Sequence, residues 1–182
     1  MKISAKTDVG MVRSSNQDSY AAGDLTSEVS WAVVCDGMGG ANGGNIASEA
    51  AVKVISEKLS SGYHIGMNDN SVKNLLISSV EAANITIYSM ARNNDELSGM
   101  GTTVVLAVRN ADTLYIANVG DSRIYVVSET DITQVTTDHS VVQMMIDNGE
   151  ISPEEAKDHP KKNVITRALG VDPEVRIDYS QE

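Results

Sequence analysis

The amino-acid sequence predicts an α+β domain, and three features carry that prediction. The first is a short apolar run, Trp31 to Cys35, that ends in Asp36 and is followed by glycines at 37, 39, 40, 43 and 44. The second is a pair of stretches, residues 46–59 and 71–92, whose apolar side chains recur at helical spacing. The third is a run rich in Thr and Val from Gly101 to Val127, broken by short turns.

Residues 2–10 read as a strand that closes near Thr7, Asp8 and Gly10. A polar loop follows, with Arg13 and Asp18 five residues apart. The forked guanidinium of Arg13 suits it to clamp a phosphate, although a single loop Arg is also ordinary surface. Ser19 to Ala22 reads as a second strand, turning at Gly23-Asp24, and Trp31 to Cys35 as a buried third. At its tip, Asp36 offers a carboxylate and Gly37 a carbonyl oxygen. Acid and glycine together suit a hard cation, because oxygen ligands bind it and glycine lets it approach the backbone. The same residues also read as a strand-to-helix turn in which Asp36 is a cap.

The first helix places Ile46, Ala47, Ala50, Ala51, Val54, Ile55 and Leu59 near one face. The second, with Ser71 as its expected cap, does so with Val72, Leu75, Leu76, Val80, Ala83, Ile87 and Met90. Strands Gly101–Val108, Thr113–Val119 and Ser122–Val127 are separated by Asn110-Ala111-Asp112 and Gly120-Asp121, which predicts an antiparallel meander. Asp121, like Asp36, falls at the end of a buried strand, so the two acids could meet at one edge of the core; Gly120-Asp121 also reads as a plain turn. Ser140–Asn148 suits a short helix closed by Gly149, and Ser152-Pro153-Glu154-Glu155 has the form of a capping box with Pro in the first turn. His139 and His159 do not have zinc-ligand spacing.

The 182 residues suffice for one domain with its own core. Hydrophobic residues make up 41% and charged residues 21%, as in an ordinary globular protein. Phe is absent, so aliphatic side chains and Met must fill the interior. A net charge of -11 argues against nucleic-acid binding. No apolar stretch reaches transmembrane length and the first residues lack the run of a signal peptide, so a cytoplasmic protein is expected. The single cysteine, Cys35, excludes an intrachain disulfide and reads as a small buried hydrophobe ahead of a thiol nucleophile. The glycines after Asp36 do not match a nucleotide-binding fingerprint, and no Lys follows in the required place.

Four motifs in order, Arg13-Ser14-Ser15-Asn16-Gln17-Asp18, Val34-Cys35-Asp36-Gly37-Met38-Gly39-Gly40, Ser98-Gly99-Met100-Gly101-Thr102-Thr103 and Asn118-Val119-Gly120-Asp121-Ser122-Arg123, resemble the metal-dependent PPM (type 2C) protein serine/threonine phosphatases. Asp138-His139-Ser140 and Thr166-Arg167-Ala168-Leu169-Gly170 extend the resemblance, and Met38 after Asp36-Gly37 favours the bacterial branch. The resemblance implies a four-layer α-β-β-α sandwich of two antiparallel sheets flanked by helices, formed by residues 1–182 as a single partial domain with a flap over about 138–168. It implies a binuclear Mn²⁺ or Mg²⁺ centre whose bridging water attacks phosphorus directly. Asp36 would bridge the two metals, the Gly37 carbonyl would bind the first, and Asp121 would support a third, weaker site. Arg13 would bind the substrate phosphate and Asp18 would hydrogen-bond metal-bound water. Substrates would be phosphoproteins, and the opposing partner a serine/threonine kinase. Many animal members carry His where Met38 stands, so protonation of the leaving group is expected from water or another group.

The resemblance also implies two later aspartates, in an Asp-Gly-Leu and an Asp-Asn motif, that bind the second metal. Nothing after Arg167 matches either, and Asp172 and Asp178 come too soon. The expectation is therefore a C-terminally truncated sandwich that retains its first-metal ligands, with impaired turnover and a tendency to self-associate through exposed sheet edges. The alternative is a non-catalytic regulatory or binding domain that keeps the fold.

Overall fold

The structure, a computed structural model, describes residues 2–182, the side chains of 40–42 excepted. The chain runs β1 (Asp18–Asp24), β2 (Val29–Met38), α1 (Gly40–Gly62), α2 (Asp69–Asn93), β3 (Gly101–Thr102), β4 (Val104–Asn110), β5 (Thr113–Val119), β6 (Tyr125–Val127), β7 (Ile132–Gln134), α3 (Val141–Asp147), α4 (Pro153–Ala156) and β8 (Asp178–Gln181). A six-stranded antiparallel sheet has the order β1-β2-β4-β5-β8, with β3 pairing on the end of β2; β6 and β7 form a separate two-stranded sheet. The α+β class, with antiparallel sheets carrying helices, is as the sequence predicts.

Strand β2 shows how the core is built. Trp31, Val33 and Cys35 point to one face and are buried, whereas Ala32, Val34 and Asp36 point to the other and are exposed. Helix α1 covers the buried face with Ala47, Ala51, Ile55 and Leu59, one every four residues and all fully buried. Helix α2 packs against α1 through Val72, Leu76, Val80, Ala83 and Ile87. Each Leu or Ile so buried contributes about 1.5–3 kcal/mol. Both helices run longer than their apolar periodicity, and α2 is capped by Asn68, whose side chain accepts from the Ser71 N–H; Ser71 is not the cap. Asp69 in the first turn and Arg92 in the last suit the helix dipole. The capping box at Ser152 and Glu155 forms as expected.

Two strand expectations are corrected. Residues 2–9 form no strand, because apolar alternation makes a strand only where a ladder partner exists. They run beside β1 and β2, and residues 3–7 line a groove of about 340 Å³ with Tyr20, Ala22, Ala32 and Val34. The three-strand meander is also not formed: β5 pairs with β4 and β8, while the segment after Gly120 folds as the β6–β7 hairpin. The reason is local. Gly120 uses its N–H and its C=O on His139, not on a hairpin partner.

Candidate active site

The site lies where β1, β2 and β5 end together. Asp18 stands directly opposite Asp36 in the β1–β2 ladder, which places their Cβ atoms about 4.5–5.5 Å apart on one face. Arg13, Asp36, Gly37 and Asp121 line a cleft of about 650 Å³, with Ser14, Met38 and Thr103 also on its wall. The structure thus brings Arg13, Asp36, Gly37 and Asp121 to one cleft, with Asp18 opposite Asp36 in the ladder but not on the cleft wall.

Each acid is fixed by its backbone. Thr103 Oγ1 accepts from the Asp36 N–H at 3.0 Å, while the Thr103 N–H and Thr102 Oγ1 both donate to the Asp36 carbonyl at 2.9 Å. Thr103 Oγ1 also meets Ser122 Oγ at 2.7 Å, which ties the Asp121 turn to β2's neighbour. The loop before Asp18 is held from α1. Buried Ser48 donates to the Gln17 carbonyl at 2.7 Å, and the Gly37 N–H donates to the same oxygen at 3.0 Å. Gly37 has no room for a side chain, since a Cβ there would lie 2.0 Å from the Gly44 carbonyl oxygen. Asp36 is not a helix cap: the residue at the start of α1 is Gly39, with no side-chain cap.

The electrostatics separate this site from the rest of the surface. The Asp36 carboxyl is raised from its ordinary 3.8 to about 6. Partial burial is the largest cause, followed by the charge of Asp18 and a hydrogen bond to it, then by Asp121; Arg13 opposes them. Like charges gathered around one carboxylate are stabilised by a cation. Among the described residues no three His, Cys, Asp or Glu side chains form a ready-made metal cage. Mg²⁺ and, by the same hard-oxygen chemistry, Mn²⁺ need less than that, because Mg²⁺ sites keep several waters and use one or two carboxylates. Asp36 with the Gly37 carbonyl, and Asp121 on the same cleft wall, offer the oxygen donors that such ions take. Burial pushes the Cys35 thiol up to about 12, so it is no nucleophile at neutral pH.

Four supporting residues escape motif reading as functional groups: Ser48, Thr103, Ser122 and His139. Thr103 and Ser122 fall inside motifs, but only the fold shows that they meet. Asp178 pairs with His139 and Arg167, and the Asp172 carbonyl accepts from Asn84 on α2. Neither aspartate lines the Asp36 cleft.

Known proteins share this arrangement of elements. The Listeria welshimeri serine/threonine phosphatase stp is 36% identical over 178 residues, 98% of this chain and 70% of that protein. The crystal structure of serine/threonine phosphatase Stp1 from Staphylococcus aureus superimposes with a TM-score of 0.91 at 35% identity, covering 97% of this chain and 69% of that one. The catalytic domain of the serine threonine protein phosphatase PstP, solved in complex with two manganese ions, superimposes with a TM-score of 0.80 at 30% identity, covering 97% of this chain and 70% of that one. The profile of the family described as Protein phosphatase 2C matches residues 12–156. The chain therefore belongs to the protein phosphatase 2C family of serine/threonine phosphatases.

Proposed function

We infer that the chain hydrolyses phosphoserine and phosphothreonine esters on proteins, with Mn²⁺ or Mg²⁺ as cofactor. The observation that carries this reading is the gathering of Asp18, Asp36 and Asp121 at one sheet end, beside the single guanidinium of Arg13 in the cleft. Asp36 and the Gly37 carbonyl would hold the first ion, Asp36 would reach a second, and Asp121 would serve a weaker site. Bound divalent ions would supply an activated water and neutralise phosphate oxygens. Arg13 orients the phosphate by its two-pronged donor face and adds fixed positive charge for the transition state. Asp18 would accept a hydrogen bond from water in the site. Met38 has no titratable proton to give, so the leaving oxygen would take its proton from water or another group. In this reading the 138–168 segment is a flap whose Asn163 and Ile165 border the cleft.

Among the described residues no helix is long and apolar enough to cross a membrane. We read the enzyme as cytoplasmic, acting on phosphoproteins against a serine/threonine kinase, and self-associating through exposed sheet edges. The test is phosphate release from a phosphothreonine peptide, with and without Mn²⁺, by wild type and Asp36→Asn. Metal-dependent release is expected, with the variant slower by on the order of a thousandfold, because several kcal/mol of transition-state stabilisation are lost. Equal rates for the two folded proteins would refute the reading.

A further inference from the structure

His139 lies outside the cleft and is 4% exposed, yet it is bonded on every side. Its backbone N–H donates to the Gly120 carbonyl at 2.9 Å, and the Gly120 N–H donates back to its ring Nδ1 at 3.0 Å. These two bonds close a ring between residues 19 apart in sequence, across the segment that carries the β6–β7 hairpin. Its carbonyl accepts from the Thr166 N–H at 2.7 Å. Its Nε2 meets Asp178 Oδ2 at 3.0 Å, and the other Asp178 oxygen accepts from Arg167 at 2.6 Å.

The ring's proton position follows from these partners. A backbone N–H can only donate, so Nδ1 facing Gly120 must be the acceptor. The ring proton then sits on Nε2 and is donated to Asp178. Arg167 Nη1, 3.1 Å from Nε2, makes no hydrogen bond to it in this tautomer and spends its donor on Asp178 instead. Gly120 and Asp178 together fix the tautomer, Asp178 as a carboxylate does behind a ligating histidine, except that here the far nitrogen grips a backbone amide.

Gly120 is the residue before Asp121. It has φ +106° and a Cβ there would lie 2.5 Å from Thr103 Cγ2, so its conformation is one that needs to be held. We propose that His139 is a positioning residue for Asp121: with Nε2–H locked by Asp178, its Nδ1 holds the Gly120 amide and so aims the Asp121 carboxylate into the cleft. The functional consequence rests on the metal-binding reading of Asp121.

The test uses His139→Asn and His139→Gln in the 182-residue chain. The Asn amide oxygen falls near the Nδ1 position and can still accept from Gly120; the Gln amide falls near Nε2 and leaves that N–H bare. Mn²⁺ affinity is read from the free-ion electron paramagnetic resonance signal, beside the imidazole proton–nitrogen NMR pattern and the Gly120 amide resonance of wild type. Expected are an Nε2–H tautomer in wild type, a loss of affinity at the weaker Mn²⁺ site of about tenfold or more in His139→Gln, and a change within about threefold in His139→Asn. A merely structural histidine would make both variants equally less stable and leave Mn²⁺ affinity alike in the two. That result, or an Nδ1–H tautomer in wild type, overturns the inference while metal binding itself survives. Should Asp121→Asn fill the weaker Mn²⁺ site as wild type does, the metal reading of Asp121 fails and the inference with it, although the tautomer pattern would still be seen.

Discussion

Asp36 and Asp178 lie near strand ends of the same sheet in opposite surroundings. Asp36 faces Asp18 across a ladder and feels Asp121 nearby, and its carboxyl rises to about 6. Partial burial pushes the Asp178 carboxyl the same way, but hydrogen bonds and charge from His139 and Arg167 outweigh it, and its pKa falls below the ordinary value. One cluster is left in want of positive charge; the other is complete within the chain. The contrast separates a site that awaits a ligand from one already satisfied within the chain. A carboxylate group that costs stability in the bare protein is ready for a ligand, whereas one matched by Arg and His holds the fold together.

The largest way to test the contrast is to supply the missing charge. At a hundred times its dissociation constant, Mn²⁺ should raise unfolding free energy by about 2.7 kcal/mol, because only the folded chain assembles the site. Asp36→Asn should abolish that increment, whereas Asp178→Asn, whose amide oxygen can still accept from the His139 Nε2–H, should retain most of it. Thermal melts with and without Mn²⁺ read the difference directly. An equal Mn²⁺ response in wild type and Asp36→Asn would show that the ion binds elsewhere.

Removing each acid from the metal-free protein should then give opposite signs. Asp178→Ala leaves the buried His139 ring N–H without its acceptor and should cost about 1–2 kcal/mol. Asp36→Ala removes like-charge crowding and should be neutral or stabilising by a few tenths. Urea denaturation of the three proteins measures both. A loss for Asp36→Ala as large as that for Asp178→Ala would erase the distinction.

Much of this was legible in the residues. Ala47, Ala51, Ile55 and Leu59 repeat at helical spacing, and that repeat is the face α1 buries. Asp36 is readable because an acid ending an apolar run is rare chemistry, and Asp18 and Asp121 follow from the motifs around them. The His139–Asp178 pair was not legible, since its members are 39 residues apart and β8 spans only four residues. The local pattern pairs Ser122–Val127 with β5 instead of β7, because a Gly-Asp turn between apolar runs looks the same whether its amides close a hairpin or bond a distant histidine. Residues 2–10 failed in a related way: strand character depends on a neighbour that local pattern does not contain.

The smallest effect, and the one most specific to the contrast, is the dependence of metal-free stability on pH. The folded-state pKa of Asp36 is raised, so between 3.8 and about 6 the folded protein binds more protons at this site than the unfolded chain. Stability therefore falls as pH rises through that window, and the full penalty is present above about 6. Asp178 has the opposite sign. Its folded-state pKa is depressed, so its contribution is complete above the ordinary 3.8 and is lost as pH falls through the lower folded value. Both carboxylates are open to solvent, which keeps each effect modest. Melting temperatures from pH 3 to 7 should show a loss at the acid end that Asp178→Asn removes and a decline toward neutrality that Asp36→Asn removes. Saturating Mn²⁺ should flatten the decline alone, because the ion favours the ionised Asp36 and expels its proton. A decline that survives in Asp36→Asn would assign it to another group and leave the like-charge account of the cleft without its thermodynamic signature.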